Sequence, residues 1–177
     1  MERRERVFAA LRGERPDRVP VGFWGHDRMR ESTARDLAEE TLRRVRTYDW
    51  DFVKVQSRST CFAECWGARW RTPTTATVRP VQEAPAVTGA ADLDRLAASV
   101  PDYGPLAEQL EALRLIRSGL PDGRPVLMTV FSPLMVLEYC LPEQPAASAA
   151  ALALLDADRA RAARVLEAIT VVIERFA

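Results

Sequence analysis

One histidine, one lysine and three cysteines bound the acid–base and covalent chemistry open to this 177-residue chain. His26 stands just past an apolar run, residues 19–24. An imidazole there is suited to proton transfer, because histidine is the side chain whose proton exchange falls near neutral pH. Arg28 follows two positions later, and the pair are the candidate catalytic residues. Arg28, Arg30 and Arg58 are each able to grip a carboxylate with two parallel hydrogen bonds, and Arg58 is retained as a substrate-binding candidate. Lys54 sits between Val53 and Val55. Strand alternation turns it away from both valines, toward the interior if the strand belongs to a barrel; the competing reading is a helix-facing side chain that snorkels outward. Phe23, Trp24 and Phe131 fall at the ends of apolar runs. They are placed to wall a pocket for a flat ligand, although aromatics so spaced also serve as ordinary core. Cys61 and Cys65 are four apart and share a helical face, but no third and fourth ligand lies near them, so no metal site is expected. No G-x-G-x-x-G, P-loop or G-x-S-x-G pattern occurs.

These residues need elements to hold them. Residues 2–11 read as an amphipathic helix with Val7, Phe8 and Leu11 on one face, closed by Gly13. A turn at Arg15-Pro16-Asp17-Arg18 leads into a short strand over 19–24, weakened by Pro20 and Gly22. Ser32 or Thr33 caps the next helix, with a stripe of Ala34, Leu37, Ala38, Leu42, Val45 and Tyr48. Residues 51–55 form a second strand. Residues 61–88, punctuated by Trp66, Trp70, Pro73, Pro80 and Pro85, read as an excursion containing a hairpin. Helices are expected over 92–98 and over 105–118, the latter with Leu106, Leu110, Leu113 and Ile116 inward. Residues 126–131 are apolar almost throughout, as in a parallel strand covered on both faces. Ser132-Pro133 then starts a helix. Further helices are expected within 145–155 and over 158–177, where Ala162, Val165, Leu166, Ile169, Val172, Ile173 and Phe176 make the stripe.

Strands alternating with helices indicate a parallel α/β fold. With only three core strands, and a last helix that stops without a cap, the expectation is the N-terminal part of a parallel barrel: one partial barrel domain over 1–177, residues 1–18 forming its entry helix and turn. Composition agrees with a globular protein, 47% hydrophobic and 28% charged. Acidic and basic residues balance at 25 each, so no net field draws nucleic acid or an acidic membrane. The basic residues are all arginine apart from Lys54, and asparagine is absent; composition does not separate codon bias from a demand for bidentate partners. Three cysteines and an opening that lacks a signal-peptide core point to a reduced, cytoplasmic setting.

Three blocks in order carry a family resemblance. The opening E-R-R-E-R-V-F-A-A-L-R-G-E-R-P-D-R-V-P-V, residues 2–21, is similar to the start of the uroporphyrinogen decarboxylase superfamily. So is D-F-V-K-V, residues 51–55, followed by C-W-G-A at 65–68. So is R-P-V-L-M-T-V-F-S-P-L, residues 124–134. The resemblance spans the whole chain and about the first half of a family member. It implies a (β/α)8 TIM-type barrel with the active site at the C-terminal ends of the strands, lyase chemistry on a tetrapyrrole-like polycarboxylate without a cofactor, and a homodimer or a complementing C-terminal half as partner. Relatives that are zinc- and corrinoid-linked methyltransferases supply an alternative, and a truncated, inactive fragment supplies another. Residue by residue, the register puts Gly25 where the decarboxylases carry the first arginine of a carboxylate clamp. It puts Gln56-Ser57-Arg58 where they carry an aspartate. Cys61, Cys65 and Cys140 match none of the methyltransferase ligands. The protein is therefore expected not to decarboxylate uroporphyrinogen itself.

Overall fold

The computed structural model describes residues 1–143 and 147–177. In chain order the elements are α1 (Arg3–Leu11), α2 (Ala34–Tyr48), β1 (Val53–Val55), α3 (Cys61–Glu64), β2 (Arg69–Arg71), β3 (Val81–Ala84), α4 (Ala90–Ala98), α5 (Gly104–Ser118), β4 (Val126–Met128), α6 (Pro133–Cys140), α7 (Ala147–Ala157) and α8 (Arg159–Phe176). The first two residues of the helix expected within 145–155 lie outside the described residues, and α7 covers the rest. The chain forms two compact units. One comprises residues 1–58, 74–78 and 108–129; the other comprises 59–73, 79–107 and 130–177. The result is a mixed α/β structure with a small parallel sheet, compatible with part of a TIM-type fold.

In the first unit β1 and β4 pair in parallel, with Val53 opposite Val126, Lys54 opposite Leu127 and Val55 opposite Met128. Val53 and Val55 are buried in a core built from Leu37, Ala38 and Val45 of α2 and Ala112 and Ile116 of α5. This cover explains the V-K-V spacing: with period 2, the two valines take the helix-covered face and Lys54 takes the other. The expected strand over 126–131, covered on both faces, is corrected in two ways. It ends at Met128 because β1 ends at Val55 and offers no further ladder. Its second face is open, with Leu127 51% exposed beside Lys54; a face shared with an ammonium is not dry core.

The strand expected over 19–24 is also corrected: the segment is extended but builds no ladder. Pro20 has no N–H to give, and the Val21 N–H is taken by the Asp51 side chain at 2.8 Å. One backbone bond survives, from Asp51 N to Val21 O at 2.7 Å. The segment nevertheless runs alongside β1. Gly22 passes so close that a Cβ there would stand 2.7 Å from the Phe52 carbonyl oxygen, which is why no larger residue fits.

Asp51 anchors this entry. It is fully buried and accepts from Arg6 Nη1 at 2.7 Å, Arg18 Nη1 at 2.5 Å and Arg18 Nη2 at 2.9 Å. Arg6 also forks onto Asp17, at 2.7 and 2.8 Å. Burial alone would raise the Asp51 carboxyl, but Arg18, the Val21 amide and Arg6 together hold it below the ordinary carboxylate value. Asp17 is likewise held low, chiefly by its hydrogen bonds from Arg6. The R-P-D-R-V-P block thus folds as it does because it closes a buried ion network.

Helix α2 starts at Thr33, whose Oγ accepts from Asp36 N at 3.1 Å. It ends through Asp49 in the left-handed conformation, φ 51°. Leu37, Ala38 and Val45 are buried as the stripe requires, but Tyr48 is exposed and stacks on Trp50 instead: the chain reverses immediately after it. On α5, Leu106 and Ile116 are buried as expected, whereas Leu110 and Leu113 are half-buried. Gln109 and Ala112 take fully buried positions, and neither Gln109 amide atom has a hydrogen-bond partner.

In the second unit α8 buries Val165, Ile169, Val172 and Phe176 and packs on α4, α6 and α7. Ser132 caps α6 as expected, its Oγ accepting from Met135 N at 3.3 Å. β2 and β3 pair antiparallel. Gln82 of β3 donates to Leu141 O at 2.9 Å and accepts from Glu143 N at 2.8 Å, tying that pair to the end of α6. Cys61, Cys65 and Cys140 are all buried; burial pushes the Cys140 thiol up to about 12. Among the described residues no cluster of three or more His, Cys, Asp or Glu side chains is placed to hold a metal, and no helix is long and apolar enough to cross a membrane.

Candidate functional site

The candidate site belongs to the first unit and lies where residues 25–33 and 56–58 follow the parallel segments. Trp24, 58% exposed, lies beside Lys54, whose Nζ is 4.3 Å from the indole centroid. Lys54 has no carboxylate partner among the described residues, and its ammonium lies over an aromatic face. Around these two side chains a cleft is lined by Gly25, Asp27, Arg30, Glu31, Glu40, Arg44 and Gln56, with Leu37, Thr41 and Trp50 at its base. Two polar atoms of its lining residues, Gln56 Oε1 and Trp50 Nε1, have no hydrogen-bond partner among the described residues. Buried polar atoms are ordinarily satisfied, so the cleft keeps hydrogen-bonding capacity in reserve.

The loop that carries His26 is pinned from several sides. Arg44 donates to the Gly25 carbonyl and pairs with Glu40 at 2.6 Å. Arg43, then Arg44, hold the Glu40 carboxyl down to about 2 against the opposing effect of burial, so Glu40 stays ionised. Arg28 N donates to Ala76 O at 2.9 Å. Arg58 reaches the carbonyls of Glu31 and Ser32 at 3.2 and 3.3 Å and pairs with Glu108 at 3.1 Å. Arg30 pairs with Asp36 at 3.3 Å and Glu39 at 3.1 Å.

The structure brings together some of the residues singled out in the sequence and separates others. Trp24 and Lys54 share the cleft. His26 is not among its lining residues but meets Trp24 edge-on, with ring centroids 6.0 Å apart. Arg28 is turned toward Glu31, Nη1 to Oε2 3.8 Å, and Arg58 is a strut for the loop backbone. Phe23 is exposed and lies outside the lining. Phe131 belongs to the second unit, where it stacks on Tyr139 with centroids 5.7 Å apart and tilts against Phe62 at 6.1 Å. Sequence reasoning missed Glu31 and Arg44, whereas Gln56 falls within 54–58, the stretch after the second strand that the sequence reading expects to line a pocket. For Arg44 a signal existed, since it lies on a capped helix facing the strands; for Glu31 there was none.

In chemical terms the cleft offers an ammonium without a carboxylate partner among the described residues, a flat aromatic wall, and guanidinium groups within an arginine–glutamate lattice; His26 meets the same indole from outside the lining. Comparison with curated protein sequences gives no match. The profile of the family described as uroporphyrinogen decarboxylase (URO-D) matches residues 2–177, effectively the whole sequence. The chain belongs to the uroporphyrinogen decarboxylase family.

Proposed function

We propose that this chain carries the N-terminal part of the active site of a lyase that decarboxylates a flat, carboxylated, tetrapyrrole-like substrate, and that uroporphyrinogen is not that substrate. The observation that carries the reading is Lys54. It is the chain's one lysine, on the open face of the parallel pair, in contact with Trp24 and without a carboxylate partner among the described residues.

In such a reaction the bond between a carboxylate and its ring-attached carbon breaks. Carbon dioxide leaves, the electron pair stays on the carbon and spreads into the ring, and a proton is added to that carbon. Lys54 binds substrate carboxylate and stabilises the developing charge, an electrostatic contribution that needs no cofactor. Trp24 sets the plane of the ring. His26 carries the proton. The glycine at position 25 supports a substrate with fewer carboxylates than uroporphyrinogen, because the clamp lacks one fixed cation. No zinc or corrinoid enters this reading.

The test is a titration with coproporphyrin, a flat tetrapyrrole carboxylate, followed by quenching of tryptophan fluorescence. The wild type is expected to bind. Lys54→Met is expected to bind about tenfold or more weakly, since a hydrogen bond to a charged group contributes about 1.5–3 kcal/mol. Failure of the wild type to bind, or equal affinity of both proteins, overturns the proposal.

A further inference from the structure

Glu31 is nearly fully buried, 4% exposed, in a turn where His26 and Arg28 are half-buried and Met29 is exposed. Its carboxylate has two neighbours. Oε1 lies 2.6 Å from His26 Nδ1, and Oε2 lies 3.8 Å from Arg28 Nη1. The turn is fixed around it by Arg58, which donates to the Glu31 carbonyl, and by Arg30 N, which donates to Asp27 O at 2.9 Å. An ionised carboxylate only accepts hydrogen bonds. At 2.6 Å the proton between the two groups therefore belongs to Nδ1. His26 Nε2 has no protein partner among the described residues.

From this geometry we infer that Glu31 is the positioning residue for His26. It binds the Nδ1 proton, fixes the ring edge-on to Trp24, and leaves Nε2 as the nitrogen that takes up and returns a proton. The same bond compensates the charge when the ring becomes an imidazolium, as a buried carboxylate does behind a catalytic histidine. Arg28 is then not a second acid or base but the group that holds the far oxygen of Glu31. The ligand atom that Nε2 meets must be a proton donor when the ring is neutral: an N–H, an O–H or an acidic C–H. This assignment extends the reading of His26 given above, but its test needs no ligand.

A chain with one histidine gives one set of imidazole signals. Two-bond proton–nitrogen correlation of the uniformly labelled wild type, recorded at rising pH until the imidazole pattern stops changing, should show Nδ1 protonated and Nε2 bare. That is the minor form of a free histidine side chain. Glu31→Gln keeps an acceptor oxygen and should keep this pattern at least in part. Glu31→Ala should revert to the rapidly averaged or Nε2-protonated form, with the fold checked by near-ultraviolet circular dichroism. If Glu31→Ala does not fold, the wild-type and Glu31→Gln spectra decide alone. A wild-type spectrum with the proton on Nε2, or a pattern unchanged in a folded Glu31→Ala, overturns the assignment. Failure to bind coproporphyrin would leave these spectra unaltered, so the two readings fail separately.

Discussion

The two ends of the same pair of parallel segments are built on opposite rules. At the entry end, Asp51 is buried and each of its oxygens is matched by Arg6, Arg18 or the Val21 amide. At the exit end, Lys54 has an aromatic face in place of a carboxylate, and Gln56 Oε1 has no hydrogen-bond partner among the described residues. The first arrangement is closed and leaves nothing for a ligand to bind. The second leaves charge and hydrogen-bonding capacity for something else to complete. Parallel α/β structures divide stability and chemistry between strand ends in this way, and here the division is visible within a few residues, Asp51 against Lys54 and Gln56.

Breaking the closed end should have the largest effect. Asp51→Ala takes one partner from the buried Arg6 guanidinium, which keeps Asp17, and leaves the Val21 amide unmet; loss of one partner of a buried pair costs up to about 3–5 kcal/mol. Urea denaturation measures it; a loss below about 1 kcal/mol would mean that the network is ornamental. The same network predicts an acid response. Asp51 and Asp17 have carboxyls held below their ordinary value, so they contribute stability that is present above the unfolded carboxylate range, about 4, and lost as pH falls through the lower folded values. Asp51→Ala should show a flatter decline over that window than the wild type.

Gly22→Ala comes next. Its Cβ would strike the Phe52 backbone, and relief of such overpacking costs about 1–3 kcal/mol, again read by urea denaturation. Gly25 offers the contrast. Its Cβ would meet only Arg44 Nη1, at 3.8 Å, and its backbone is not left-handed, so Gly25→Arg should leave stability within about 0.5 kcal/mol. Restoring the clamp arginine should tighten coproporphyrin binding. The wild type should form no coproporphyrinogen from uroporphyrinogen above the uncatalysed rate; formation of that product would show that the clamp is not needed.

Much of this was legible in sequence, and for definite reasons. V-K-V puts Lys54 on the face opposite the two valines, though only their packing on α2 and α5 tells which face that is; Ser132-Pro133 marks one helix start, and Ser32-Thr33 marks another to within a residue. Residues that join distant segments were not legible. Asp51 reads as an ordinary residue before a strand until Arg6 and Arg18 are folded against it. Glu31 reads as a surface acid in an arginine-flanked turn. The run at 19–24 carries strand-like residues, but its amide hydrogens are spent on a side chain or missing at proline, and composition does not reveal that. The apolar run at 126–131 shows hydrophobicity, not which face is covered, and only pairing with Lys54 tells that Leu127 lies on the open side.

The contrast between the two ends reduces to one paired measurement on Lys54→Met: urea denaturation and coproporphyrin titration of the same preparation beside the wild type. An exit end reserved for a ligand predicts an unfolding free energy within about 1 kcal/mol of the wild type, with binding weakened about tenfold or more. A variant that loses several kcal/mol of stability while binding coproporphyrin as tightly as the wild type would contradict it.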